Sequence, residues 1–387
     1  MRSNLGFFSD EKFRSIFFQT LVIGLFALGL YFIVTTTAYN LEKRNIATGW
    51  RFLSDPAGFD ISFSPFLDYK STDTHLDVYF VGLLNTLLVS ITGCIAATIL
   101  GFILGIIRLS SNWLLSRLVY IYVEFSRNVP LLLQIILWYS ILIQLPRVKQ
   151  SLQILDVFYI SNRGLYSPRP IFESGFSYVT IAILLALISS FLINRWSKKR
   201  QERTGQQFPV FSSSLALIFI IPLIIFFILG SPMTFEHPEL KGFNFKGGLV
   251  IRPEFIAMFL ALSIYTAAFI SEIVRAGIMS VSKGQREASA AIGLKQTLIM
   301  RLVIIPQALR VIVPPLTSQY LNLTKNSSLG IAVGYADLVH GFGGISLNQT
   351  GQAIECMVIV MATYLTISLI ISFFMNIYNR SIQFKEK

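Results

Sequence analysis

Glu287-Ala288-Ser289-Ala290-Ala291-Ile292-Gly293, with Val303-Ile304-Ile305-Pro306 following after nine residues, is the stretch that decides how this chain is read. It predicts a short helix of small residues with a glycine stop. Glu287 is placed in its first turn, where a carboxylate suits the positive end of the helix dipole. Ala288, Ser289, Ala290 and Ala291 keep the helix thin, so a groove on another protein can approach its backbone closely. Gly293 is the residue type that ends a helix in a left-handed turn. Lys283, Arg286, Lys295 and Arg301 flank the segment, and basic residues mark loops on the cytoplasmic side of a membrane. An ordinary interfacial amphipathic helix is the plainer alternative.

The sequence on either side is a membrane protein's. Hydrophobic residues make up 53% of 387 positions and charged residues only 13%, well below the roughly 25% charged of soluble domains. Uncharged stretches run over 16–38, 79–107, 128–146, 174–194, 204–235, 255–271 and 356–379. Each is near or above the ~20 residues that cross a ~30 Å hydrocarbon layer. The 204–235 stretch is too long for one span, and about 211–230 is expected in lipid. An eighth span, 302–324, contains Arg310 and an expected break at Pro314-Pro315, and it is needed to close the topology. The chain is therefore expected to be all-α, with about eight transmembrane helices.

Charge orients the set. With the N-terminus inside, the segments 1–15, 108–117, 194–210, 275–301 and 379–387 are cytoplasmic and hold 18 Lys and Arg in 78 residues. The opposite segments 39–78, 146–175, 231–253 and 326–350 hold 11 in 118. Both termini and the 283–306 loop then lie inside, where ATP is. Topology thus accounts for the net charge of +12, and no basic patch with interleaved aromatics points to nucleic acid. Cys94 and Cys356 fall within spans, so neither a disulfide nor a metal site is implied. His75, His237 and His340 are scattered over the expected outer loops with no ligand spacing. Residues 16–38 read as an uncleaved anchor rather than a signal peptide.

The chain divides into an anchor helix with an outer loop (1–78), a first core part (79–145), an insert with two further spans (146–253) and a second core part (254–387). The core comprises 79–107, 118–145, 254–275, 302–325 and 353–378. No G-x-x-x-x-G-K-[ST] loop is present, so any ATP hydrolysis must come from a partner.

The Glu287–Pro306 segment resembles the EAA loop of the permease subunits of ATP-binding-cassette (ABC) importers, the part that plugs into the ATPase. The V-x-I-P element stands at that family's spacing, which disfavours the plain amphipathic helix. Tyr265-Thr266-Ala267-Ala268-Phe269-Ile270-Ser271-Glu272-Ile273-Val274-Arg275-Ala276-Gly277-Ile278 looks like the branch serving histidine, glutamine and related polar amino acids. So do Val281-Ser282-Lys283-Gly284-Gln285-Arg286-Glu287, Pro306-Gln307-Ala308-Leu309-Arg310 and Lys325-Asn326-Ser327-Ser328-Leu329. Gly82-Leu83-Leu84-Asn85-Thr86 and Tyr122–Leu131 match in the first half. Ser289 stands where that branch usually has alanine, and Asp337 where glutamate is common. The anchor and insert are similar to the first permease of broad-specificity L-amino-acid importers of Gram-negative bacteria.

The resemblance implies a five-helix type I importer core in the bacterial inner membrane. It implies an ABC ATPase partner that binds the ATP, a second permease in a heterodimer and a periplasmic amino-acid-binding protein. It also implies no cofactor or catalysis in this chain. Glu287, Ala288, Ser289, Gly293 and Pro306 would couple to the ATPase.

Polar residues inside spans supply the remaining candidates. Gln134 follows Pro130, and Gln319 and Asn322 follow Pro314-Pro315; proline frees carbonyls of the preceding turn, and broken spans commonly build midplane sites. With Lys325 and Asn326 they form the expected substrate path. Two E-x-x-R pairs, Glu124/Arg127 and Glu272/Arg275, share helix faces near cytoplasmic ends. They read either as gate ion pairs or as snorkelling anchors of helix ends. Gly82, Gly93, Gly101 and Gly105 read as close packing. An ion-coupled secondary transporter is the rival, yet no internal repeat or lone mid-span acid is evident. A membrane scaffold or receptor would need no ATPase dock.

Overall fold

The structure, a computed structural model, describes residues 11–43 and 48–383. The basic start of the anchor at Arg2, Arg44 of the outer loop, and Lys385 and Lys387 near the C-terminus lie outside the described residues. Among the described residues twelve α-helices follow in order: α1 (Glu11–Lys43), α2 (His75–Ile107), α3 (Trp113–Asn128), α4 (Leu131–Ile143), α5 (Phe176–Thr204), α6 (Val210–Ile228), α7 (Pro253–Met279), α8 (Lys283–Ala291), α9 (Gln296–Ile299), α10 (Ile305–Asn326), α11 (Leu347–Thr350) and α12 (Ala353–Ile382). Among the described residues, seven spans are long and apolar enough to cross a membrane, and an eighth follows if α3 and α4 form one broken crossing.

The chain separates into two compact units, Met1–Ile135 with Met258–Lys387, and Ile136–Ala257. In the first, α2 begins with a capping box. Thr74 accepts from the Asp77 amide, and the Asp77 carboxylate accepts from the Thr74 amide. Phe52, Ala57, Val78, Leu338, Phe342, Cys356 and Val360 form a buried cluster that ties the loop before α2 to the 338–346 π-helical turn. His75, expected on a loop, is the first residue of α2, buried, with Nδ1 3.0 Å from the Ser346 hydroxyl. Gly105 lets α2 meet α7 backbone to backbone: a Cβ there would lie 2.8 Å from the Ser271 carbonyl oxygen.

Two expected interruptions turn out differently. The 118–145 span is sharply broken, with α3 and α4 meeting at 107°. Val129 is extended (φ −95°, ψ 126°) because the following Pro130 disfavours the helical region for it. The expected Pro314-Pro315 break does not occur. Both prolines sit inside a continuous α10, and the helical span runs from Gln296 to Val333. The irregularity lies lower, in a π-helical turn at Met300–Ile304, where the Ile305 amide bonds the Met300 carbonyl five residues back. Pro306, lacking an N–H, follows at the start of α10.

In the second unit, α5 and α6 form an antiparallel helical hairpin, and its flanking segments form eight short strands. β1 (Leu152–Ile154), β2 (Phe158–Ser161), β3 (Gly164–Ser167) and β8 (Leu249–Ile251) make one sheet in the order β1-β2-β3-β8. β4 (Arg169–Phe172) pairs with β5 (Met233–Glu236), and β6 (Glu239–Lys241) with β7 (Asn244–Lys246), all antiparallel. The segments flanking α5 and α6 therefore carry short hairpins that no sequence pattern announced. Strands of three or four residues are too brief to show an alternating pattern.

Candidate functional site

α8 is the best-defined candidate element. It starts at Lys283, so Glu287 sits in its middle and not in its first turn. Ser282, a favoured N-cap type, precedes it, and that earlier start displaces Glu287 from the expected dipole position. Gly293 is at φ +82°. The Leu294 amide bonds the Ser289 carbonyl and the Gly293 amide bonds the Ala290 carbonyl, the paired bonds of a Schellman stop. Ser289 is the one buried residue of α8, and its hydroxyl donates to the Gln285 carbonyl at 2.6 Å. Glu287 and Ala288 are exposed, and Ile292 beyond them is 77% exposed. α8 therefore exposes the small residues Gly284, Ala288, Ala290 and Ala291 together with Lys283, Gln285, Arg286 and Glu287, and Ile292 follows just beyond it.

The second E-x-x-R pair forms and gains a partner from elsewhere. Arg275 contacts Glu272 Oε1 through Nη2 at 2.5 Å and Nε at 3.1 Å. Arg108, at the C-terminal end of α2, donates to Glu272 Oε2. One carboxylate thus lies between two guanidiniums, tying α2 to α7. The sequence reading missed Arg108, which stands 164 positions away with no local pattern to link it. The first pair does not form. The Arg127 guanidinium lies over the Phe269 ring, 5.6 Å from its centroid, and Glu124 instead receives the Asn128 amide. A carboxylate and a guanidinium three residues apart can pair, but here the aromatic face of α7 takes the cation.

The expected path residues fall into two groups. Gln134 is buried, and its amide donates to the Ser126 and Val129 carbonyls at 3.0 and 3.1 Å. Gln134 therefore caps the carbonyls freed by the Pro130 break. Gln319, Asn322, Lys325 and Asn326 lie on one side of α10, where Asn322 and Lys325 are exposed on this chain. At ~100° per residue, Gln319 and Asn322 sit roughly opposite Tyr320 and Thr324. Tyr320 and Thr324 instead line an apolar cleft of about 920 Å³ between α2, α10 and α12, and the Tyr320 hydroxyl there meets Thr98 at 2.8 Å.

A polar knot closes the far end of α10. The Asp337 carboxylate is fully buried and accepts from the His340 amide at 2.8 Å. Burial pushes its pKa up to about 7. The Thr86 hydroxyl accepts from the Leu338 amide, and the Tyr335 hydroxyl donates to the Asn85 carbonyl.

Over residues 182–384 the chain matches the family described as the inner-membrane component of binding-protein-dependent transport systems. The chain belongs to that family. It is 48% identical to the general L-amino acid transport system permease protein AapQ of Rhizobium johnstonii, over 98% of this chain and 94% of that protein. It is 46% identical to the putative amino-acid ABC transporter permease protein YhdX of Escherichia coli, over 98% and 97%. It is 43% identical to the glutamate/glutamine/aspartate/asparagine transport system permease protein BztB of Rhodobacter capsulatus, over 98% and 96%. The expected multi-pass helical class therefore holds, and an EAA motif is characteristic of this family. The ion-coupled alternative finds no support among these relatives.

Proposed function

We propose that this chain is a permease subunit of an ATP-driven importer of polar L-amino acids. It forms the translocation path with a second, different permease, docks an ABC ATPase through α8, and receives substrate from a periplasmic binding protein. ATP is held by the ATPase partner, and this chain carries no catalytic or cofactor site of its own. Both termini lie in the cytoplasm. ATP-driven closure of the ATPases moves α8, the span bundle opens outward, and hydrolysis resets it.

The observation that carries this reading is α8: a small-residue helix exposed at every position but Ser289 and stopped by Gly293. Glu287, Ala288, Ser289, Gly293 and Pro306 are its coupling residues. The exposed polar side of α10 supports the rest. Asn322 and Lys325 are poor company for lipid, since polar groups in a span face a path or another protein. Gln319, Asn322 and Asn326 then serve as donors to a carboxylate and acceptors for an ammonium, and Lys325 as a donor to the carboxylate. Gln134 contributes by shaping the break, and Glu272/Arg275 with Arg108 serve as the gate.

Reconstitution tests the assignment. Proteoliposomes holding the complete complex should accumulate amino acid against a gradient with ATP, and those holding this chain alone should not. Accumulation by the chain alone would refute it.

A further inference from the structure

The α5–α6 hairpin carries a charged feature that coupling and substrate passage do not use. α5 has 29 residues, about 43 Å at ~1.5 Å per residue, against ~30 Å of hydrocarbon. Its uncharged part, residues 176–194, covers the hydrocarbon, so Arg195, Lys198, Lys199, Arg200 and Arg203 come at headgroup depth and beyond.

Orienting the chain needs only the charges, yet this end of α5 is built. The helix continues to Thr204 and stops at Gly205 in the left-handed region. Trp196 packs edge-on against Phe208 at 5.4 Å, the Arg200 guanidinium lies 5.3 Å from the Trp196 ring, and Arg200 donates to Gln206 at 3.0 Å. Arg195 lies over Phe191 at 5.6 Å. Ser197 is the buried residue of the turn. Arg195, Lys199 and Arg203, at i, i+4 and i+8, form a row on the side away from it. Among the described residues, none of the five cations is ion-paired to a carboxylate, and Glu202 is the only acid between 174 and 235.

We infer that this row is a binding site for the headgroups of anionic phospholipids, holding the insert hairpin in the cytoplasmic leaflet. An unpaired cationic row at headgroup level, beside Trp196 and Phe191, matches phosphodiester headgroups; basic clusters just cytoplasmic of a span attract such lipids. An acidic partner subunit is the competing occupant. The lipid is favoured because the row runs along the helix at the depth of the headgroups instead of facing a folded pocket.

The test uses the assembled transporter in phosphatidylcholine nanodiscs doped with photoreactive phosphatidylglycerol or, separately, photoreactive phosphatidylcholine. Phosphatidylglycerol should label residues 191–208 about fivefold more than phosphatidylcholine. Combining Arg195→Gln, Lys199→Gln and Arg203→Gln should erase that preference while leaving phosphatidylcholine labelling unchanged. Equal labelling by the two lipids in the unaltered complex overturns the inference, even if the triple variant fails to insert. So does an undiminished preference in an inserted variant. Amine-reactive cross-linking from Lys198 or Lys199 into another subunit, with no lipid preference, assigns the row to protein instead.

Discussion

Gly293 and Asp337 show what single residues contribute. Gly293 at φ +82° has open space around the position of a Cβ. Any cost of substitution there is conformational, about 1–2 kcal/mol for an ordinary L-residue. Gly293→Asn should therefore retain ATPase association and uptake, because asparagine tolerates the left-handed region. Gly293→Val should lose both while the chain still inserts. Equal behaviour of the two variants in co-purification would show that the Schellman stop is not required. Asp337 makes a pH prediction. Its folded pKa of about 7 lies above the ordinary carboxyl value of 3.8. The folded state therefore holds the proton more tightly, and that stabilisation is complete in acid and lost as pH rises through about 7. The melting temperature of the complex should fall as pH rises from about 4 to about 7 and level off above that. Asp337→Asn keeps an acceptor for the His340 amide and should flatten that fall; an unchanged slope would place the titration elsewhere. Gly293's conformation was legible in the sequence because glycine after a short helix has few other uses. Asp337's burial was not, since it depends on residues 85, 86 and 364, which only folding brings near.

Elements were legible where they are long. α2, α5, α6, α7 and α12 fall close to the uncharged runs, because a span is set by the thickness of hydrocarbon. Proline was a poorer guide. Pro130 breaks its span where an extended Val129 and a side-chain cap are available, whereas Pro314 and Pro315 stay inside α10. Neighbouring protein can satisfy the carbonyls a proline frees, and no local pattern reports that. Gln134→Leu tests the distinction between cap and path. It leaves the buried Ser126 carbonyl and the half-buried Val129 carbonyl without their side-chain donor, a loss of about 1–3 kcal/mol, so the yield and melting temperature of the complex should drop. Normal yield with impaired uptake would instead return Gln134 to the substrate path.

At the scale of the whole molecule, α8 must communicate with the spans, and α7 leads directly into it. Glu272 lies about two turns before the end of α7 and is held by Arg108, just past the end of α2, as well as by Arg275. Any movement of α7 relative to α2 has to change the Arg108 contact, whereas Arg275 travels with Glu272 on the same helix. Arg108 is thus the discriminating partner, and the E-x-x-R pattern alone conceals it. Arg108→Gln removes the inter-helix charge contact but leaves Glu272 paired with Arg275. If the contact holds the resting state, ATPase activity without substrate should rise several-fold, with the complex assembled in normal amount. Glu272→Gln releases both arginines and should cost yield as well, because a guanidinium left half-buried without its carboxylate is expensive. A purely anchoring contact would behave differently: Arg108→Gln would lower yield and leave the ATPase activity of each assembled complex unchanged. Measuring basal ATPase per mole of complex, beside the yield of that complex, separates the two.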